Sequence, residues 1–285
     1  MKIRFVLLLL APVFAFAQRD YSSMPVAHNE IAPGVHRLYI GQGVSVTAFT
    51  GQDGILLIDA GYEQTTRQLM DTLKRIDQRP VTYLINTHLH GDHTGGNAVA
   101  GNNATIIAHS NTKAFLMADR KPEDQASPSG LPAITFDNEM RLQFNGQELL
   151  LKHLPAGHTN SDIIVYFPES NVVVTGDLLF AGFFPFIDLN RGGTLEGYFN
   201  NVRWLIDTYN DQTIFIGGHG PAFSRAQLSD WITTLRETVT IIRQAQSKGM
   251  NADEIKKARL LQKWESFGSF FITADRWIDT VLAGS

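Results

Sequence analysis

The chain has 285 residues, no cysteine, and 24 Lys+Arg against 28 Asp+Glu, a net charge of −4. Its length supports a large core without covalent staples, and the missing thiols exclude disulfides, thiolate metal ligands and lipid attachment at a new N-terminal cysteine. The acidic balance and lack of any Lys/Arg run argue against nucleic acid as a partner.

The chain opens MKIRFVLLLLAPVFAFA, with Lys2 and Arg4 ahead of an apolar run from Phe5 to Phe14 and an Ala15-Phe16-Ala17 cleavage site. That is the layout of a secretory signal peptide, and its roughly 13 apolar residues fall short of the ~20 a spanning helix needs. Residues 1–17 are therefore expected to be removed, leaving 268 residues with 22 basic and 28 acidic side chains and no membrane attachment. A periplasmic or secreted location follows, of the bacterial type.

A polar leader is expected over 18–30. Short β-rich runs come first, GVHRLYI (34–40), VSVTAFT (44–50) and GILLIDAG (54–61), separated by turn residues as in consecutive hairpins. Over 63–77, Leu69, Met70, Leu73 and Ile76 fall at helical spacing. Pro80 opens the strand VTYLINT, and a strand at 104–110, a helix from Asn111 and a Pro/Ser/Gly-rich loop over 121–133 follow. A meander is expected from MRLQF (140–144), QELLLKHL (147–154), DIIVYFP (162–168) and NVVVTGD (171–177), then a helix near 195–208 and the strand TIFIGG (213–218). Strands in runs with interspersed helices predict two mixed sheets with helices outside. Residues 223–285 read as a helical extension, with three helices and no strand signal from about Ala226.

The chemistry concentrates in THLHGDHTGG (87–96), which spends three of the nine histidines within six positions. The glycines argue against a helix here, so extended backbone is expected, in which His88 and His90, two apart, point to one side. A bend at Gly91 would bring in Asp92 and His93 to serve a second position beside the first. Imidazole and carboxylate suit zinc and other first-row divalent ions. His158, Asp177 and His219 share one setting, a polar side chain at the end of an apolar strand. Each alone is as readily a cap, but together with the first cluster they form a set.

That set resembles the metallo-β-lactamase fold superfamily, whose members carry H-x-H-x-D-H followed by a distant His, an Asp or Cys, and a His. The resemblance covers about residues 31–222 and includes LLIDAG at 56–61. It implies an α/β (α+β) four-layer αββα sandwich with metals at one edge between the sheets. His88, His90 and His158 would hold one zinc, Asp92, His93 and His219 a second, and Asp177 would bridge both. Asp59 would orient the loop by hydrogen bonding, or serve only as a turn residue. Two zinc ions per chain would share a water acidified toward neutrality, which attacks a substrate carbonyl, with Asp92 as the ligand that orients it.

The expected activity is cleavage of an ester, thioester, lactone or amide in a small molecule. Aspartate at 177 is similar to hydroxyacylglutathione hydrolases and lactonases. The best-known β-lactamases have Cys or Ser there, and the cysteine type has a lysine where Phe180 stands, so a β-lactamase is the alternative. A mononuclear iron sulfur dioxygenase of the same fold is a redox alternative. LLFAGFFPFIDLNRGG (178–193) offers Phe180, Phe183, Phe184 and Phe186 as core or as an apolar wall beside the metals. Arg191 is placed to bind a substrate carboxylate or to form a surface salt bridge. His109 and His153 read as structural, and His28 and His36 carry no signal. The C-terminal aromatic residues are expected to pack on the sandwich or to form a homodimer.

Overall fold

A computed structural model describes residues 24–41, 43–119 and 129–284. The expected signal peptide, the start of the leader and much of the 121–133 loop lie outside the described residues. One sheet runs in chain order through β1 (Val26–Ala32), β2 (Val35–Ile40), β3 (Val44–Gly51), β4 (Gly54–Ile58), β5 (Val81–Ile85), β6 (Thr105–His109) and β7 (Ile134–Phe136). It is antiparallel through β4 and parallel beyond. The other, in spatial order, is β13 (Phe223–Ser224), β12 (Ile214–His219), β11 (Val172–Phe180), β10 (Ile163–Phe167), β9 (Gln147–His153) and β8 (Glu139–Phe144). Only β11 and β12 pair in parallel there.

Strand alternation builds the layers. Leu56 and Ile58 join Val165, Phe167, Val172 and Val174 in a core shared by both sheets. Their neighbours Leu57 and Ile55 turn outward and meet Leu69 and Leu73 of helix α1 (Thr66–Ile76). On the far side Ile164 and Val173 join a third core with α5 (Leu195–Thr208), α6 (Arg225–Ser247) and α8 (Ala274–Ala283). The period-2 exchange of faces thus yields helix, sheet, sheet and helix: the four-layer sandwich. The C-terminal helices α6, α7 (Ala252–Lys257) and α8 continue its outer layer, with Trp277 fully buried.

Several elements differ from the sequence reading. β1 takes residues from the expected leader; it is a largely exposed edge strand whose VAHNEIA sequence has no apolar alternation to reveal it. β7 lies at the far end of the expected loop and is only three residues long, too short to show a period. β11 does not stop at Asp177 but continues to Phe180, with an irregular register against β12 around Gly176. The glycine-rich histidine stretch is extended at His90 but then forms a short helix, α2 (Gly91–Thr94), where a bend was expected; α3 (Asn97–Ala100) follows it, and α4 (Ser110–Ala118) follows β6.

Candidate metal centre

The parallel strands β4 and β5 end side by side and deliver Asp59 and then Thr87-His88 to one edge of the sandwich. Asp59 holds a positive-φ backbone at φ 65°, an uncommon conformation that Asp adopts more readily than most side chains. It is over-determined: the carboxylate accepts from the Thr87 amide and hydroxyl, both at 2.8 Å, and meets His93 Nδ1 at 2.7 Å. His90 is extended and caps α2, so Asp92 and His93 ride on the first helical turn. Gly91 is no hinge, because an added Cβ would touch nothing within 4 Å. The glycine requirement lies at Gly96 instead, where a Cβ would stand 2.2 Å from the Ala60 carbonyl. Close backbone docking of 60–61 against 93–96 (Ala60 N to His93 O at 2.8 Å, Gly96 N to Gly61 O at 3.0 Å) explains that composition.

The structure brings all seven sequence-selected side chains together. Donor atoms of His88, His90, His158 and Asp177 lie within 4.8 Å of one another, and those of Asp92, His93 and His219 form a second group of the same spread. Asp177 joins the groups: Oδ2 is 3.4 Å from His158 Nε2 and 3.3 Å from His219 Nε2, while Oδ1 is 3.1 Å from His93 Nε2. The irregularity in β11 aims it inward, the usual effect of a bulge near a site. Gly218 leaves it room, since a Cβ there would lie 2.0 Å from Asp177 Oδ1.

Every histidine is tied down through its other nitrogen. His88 Nδ1 meets Thr87 Oγ1 at 3.0 Å, His90 Nε2 meets Asp188 at 2.9 Å, and His93 meets Asp59. His158 Nδ1 bonds the Phe186 carbonyl at 2.8 Å and His219 Nδ1 the Gly43 carbonyl at 2.6 Å. Such outer partners fix the tautomer and ring plane of metal-binding imidazoles. They leave one nitrogen of each ring facing inward: Nδ1 of His90 and Nε2 of the other four.

These donors suit a divalent cation. His88 Nε2, His93 Nε2 and Asp177 Oδ1 are buried with no hydrogen-bond partner, a costly state unless something else satisfies them. Burial pushes the His88 imidazole well down and the His158 imidazole to about 4, leaving neutral rings with free lone pairs. Burial also opposes the charged forms of His93 and His219, but the Asp177 and Asp92 carboxylates outweigh it and push both up. Burial would raise Asp177, yet His219, His93, His88 and His158 hold it far below the carboxylate range. The hollow therefore demands positive charge, which a metal ion supplies as well as a proton. The side chains of His90 and Asp92 are each 18% exposed, marking the side open to solvent.

Among the aromatic candidates, Phe184 is fully buried against Trp277 and Phe267 and belongs to the core, not to a substrate wall. Phe180 is buried as well, stacked on His219 at 4.7 Å. Phe183 and Phe186 are partly exposed. Arg191 is engaged by Asp119 at 2.8 Å and lies over the Phe115 ring, which answers the carboxylate-clamp reading with a salt bridge. His109 and His153 stack at 3.9 Å outside the cluster.

Two residues escaped the sequence reading. Asp188 orients His90 and also accepts from the Asn190 and Arg191 amides at 3.1 and 3.2 Å. Its turn role was readable from the DLNRGG run, but its partner lies 98 positions away. Asp162 clamps the turn after His158 by accepting from Thr159 N at 3.0 Å; burial raises its carboxyl to about 7 against that bonding.

An αββα sandwich carrying two His/Asp groups at one edge is the arrangement expected of the metallo-β-lactamase fold. The sequence pattern of the Metallo-beta-lactamase superfamily matches residues 39–219, and the chain belongs to that superfamily. It is 27% identical over 222 residues to Metallo-beta-lactamase IND-1 of Chryseobacterium indologenes, covering 75% of this chain and 89% of that one. It is 26% identical over 206 residues to Metallo-beta-lactamase type 2 of Elizabethkingia meningoseptica, covering 68% and 73%. A metallo-beta-lactamase from Pontibacter korlensis superposes with TM-score 0.59 at 21% identity, over 73% of this chain and 97% of that one. The sec-alkylsulfatase Pisa1 from Pseudomonas sp. superposes with TM-score 0.68 at 18% identity, over 90% of this chain and 49% of its own. At these identities the structural likeness is one of fold. No described helix is long and apolar enough to cross a membrane.

Proposed function

We propose that this protein is an exported dinuclear zinc hydrolase that cleaves an ester, thioester, lactone or amide bond in a small molecule. The observation that carries the reading is the Asp177 carboxylate, set between two groups of donors that each have the composition of a zinc site. His88, His90 and His158 would hold one ion, Asp92, His93 and His219 the other, with Asp177 shared. Zinc there supplies Lewis acidity toward the carbonyl oxygen and acidifies water enough to attack near neutral pH.

The chain's own residues do the rest. Asp59, Asp188 and the carbonyls of Phe186 and Gly43 hold the rings so that nothing reorganises when substrate arrives. Asp92 meets His93 and His219 at 3.5 and 3.4 Å while its side chain stays partly exposed. It is the carboxylate that greets entering water and orients it toward the scissile carbonyl.

The superfamily relatives named as β-lactamases favour a second reading, lactam cleavage. Asp177 and Phe180, where the cysteine-type lactamases resembled above have Cys and Lys, argue for an uncharged carbonyl substrate instead. The test is a panel of aryl esters, homoserine lactones, acyl-glutathiones and nitrocefin, offered to zinc-loaded protein beginning at Gln18. An ester or lactone should give the higher kcat/KM. A value near ~10⁶ M⁻¹s⁻¹ for nitrocefin, with little ester or lactone turnover, would establish the lactam reading in its place.

A further inference from the structure

The C-terminal extension does more than cover the outer face of the second sheet. Between the 3₁₀ turn at Gln262–Gly268 and α8, the chain passes through Ser269-Phe270-Phe271-Ile272-Thr273, which brings the Phe270 ring beside His219. The link is fixed at both ends. The Phe184 amide donates to the Phe267 carbonyl at 2.9 Å, and Ile272 is buried. Thr273 caps α8, and Arg276 donates to the Phe271 carbonyl at 3.2 Å.

This anchoring sets two rings within reach of the site. Phe270 lies 5.2 Å from the His219 ring and 5.1 Å from Phe183. Phe271 meets Phe186 edge-on at 5.8 Å, and Phe186 in turn packs 5.6 Å from His90 and 5.7 Å from His158. Each pair therefore reaches a histidine of a different donor group. Phe271 is nevertheless 51% exposed, with the Arg276 guanidinium 4.5 Å over its ring. A lone exposed apolar side chain needs no explanation. One set in a row of rings that ends on histidines of the candidate metal site presents apolar surface beside that site.

We infer that Phe270 and Phe271, with Phe183 and Phe186, form an aromatic jaw at the mouth of the metal centre that binds the apolar acyl part of the substrate. The C-terminal segment is thus a specificity element of the site. The inference rests on the hydrolase reading for its substrate class, but binding tests it without turnover. The probes are acetate and octanoate, which share a carboxylate and differ in apolar length, titrated into the zinc-loaded full chain by calorimetry. Octanoate should bind the wild type at least about tenfold tighter than acetate. Phe271→Ala and Phe270→Ala should each remove most of that ratio, while acetate affinity, zinc content and melting temperature hold. Phe271→Leu, which keeps an apolar side chain, should recover part of it.

Wild-type protein that binds both carboxylates equally would overturn the inference, as would a chain-length preference that survives both alanine variants. If the preference disappears as described but no carbonyl substrate is turned over, the jaw stands and the hydrolase reading fails.

Discussion

The floor and the rim of this site are assembled from different material. On the floor, five imidazoles converge, each tied through its second nitrogen to a carboxylate, a hydroxyl or a carbonyl, and four of the five rings are buried. On the rim, the side chains of Phe183 and Phe270, and of Phe186 and Phe271, meet as ring pairs, with only the Phe186 backbone carbonyl bonded to the floor, and Phe271 keeps half its surface in water. Hydrogen bonds fix direction, so a floor built from them holds donors in one arrangement. Apolar contacts fix proximity but not identity, so a rim built from them accepts a class of ligands. The difference separates what the site does from what it does it to.

The largest expected effect of breaking the floor comes from Asp177. Its carboxylate reaches His158 and His93 with different oxygens, so Asp177→Ala leaves both donor groups short of a charge. We expect hydrolytic kcat/KM on the best panel substrate to fall by at least about a hundredfold, beyond the 10–100-fold typical of losing an outer partner.

Asp188 sharpens the comparison, because it belongs to the floor's support and not to the donors. Asp188→Asn keeps the turn-capping oxygen but replaces the charged acceptor for His90 Nε2 with an amide. A fall of about tenfold in metal affinity or activity is expected, with the melting temperature within a few degrees of wild type. An unchanged affinity for zinc in a competition titration would mean that His90 needs no orienting partner.

Arg191 should matter least. Its pairing with Asp119 is partly solvent-exposed, and such pairs contribute about 0–1 kcal/mol. Arg191→Ala should leave ester KM within about twofold. A large rise in KM confined to carboxylate-bearing substrates would return it to the substrate site.

The floor was far more legible in the sequence than the rim, for physical reasons. Metal donors are rare residue types, and in this fold they come at strand ends, where an apolar run stops at a polar residue. His219 closes β12, His88 follows β5 by three residues and His158 follows β9 by five, while Asp177 shows the break in sequence even though β11 runs on past it. Phenylalanines carry no such mark. Phe184 and Phe183 are adjacent, yet one is sealed against Trp277 and the other faces Phe270; only the fold distinguishes them. Asp188 was hidden because its meaning depends on a histidine from the other half of the chain. The two sheets were readable from period-2 alternation in the buried strands, which exchange residues between the inter-sheet core and the helix layers. The edge strands β1 and β7 lack that pattern because neither has two apolar faces to satisfy.

The central claim is that Asp177 unites two metal sites, and elemental analysis of the purified wild type beside Asp177→Ala tests it most directly. Close to two zinc equivalents per wild-type chain are expected, with reduced occupancy of both sites in the variant. Two zinc ions retained by Asp177→Ala would contradict the bridging role. One iron and no zinc in the wild type, with oxygen uptake on a persulfide, would contradict the dinuclear zinc hydrolase itself.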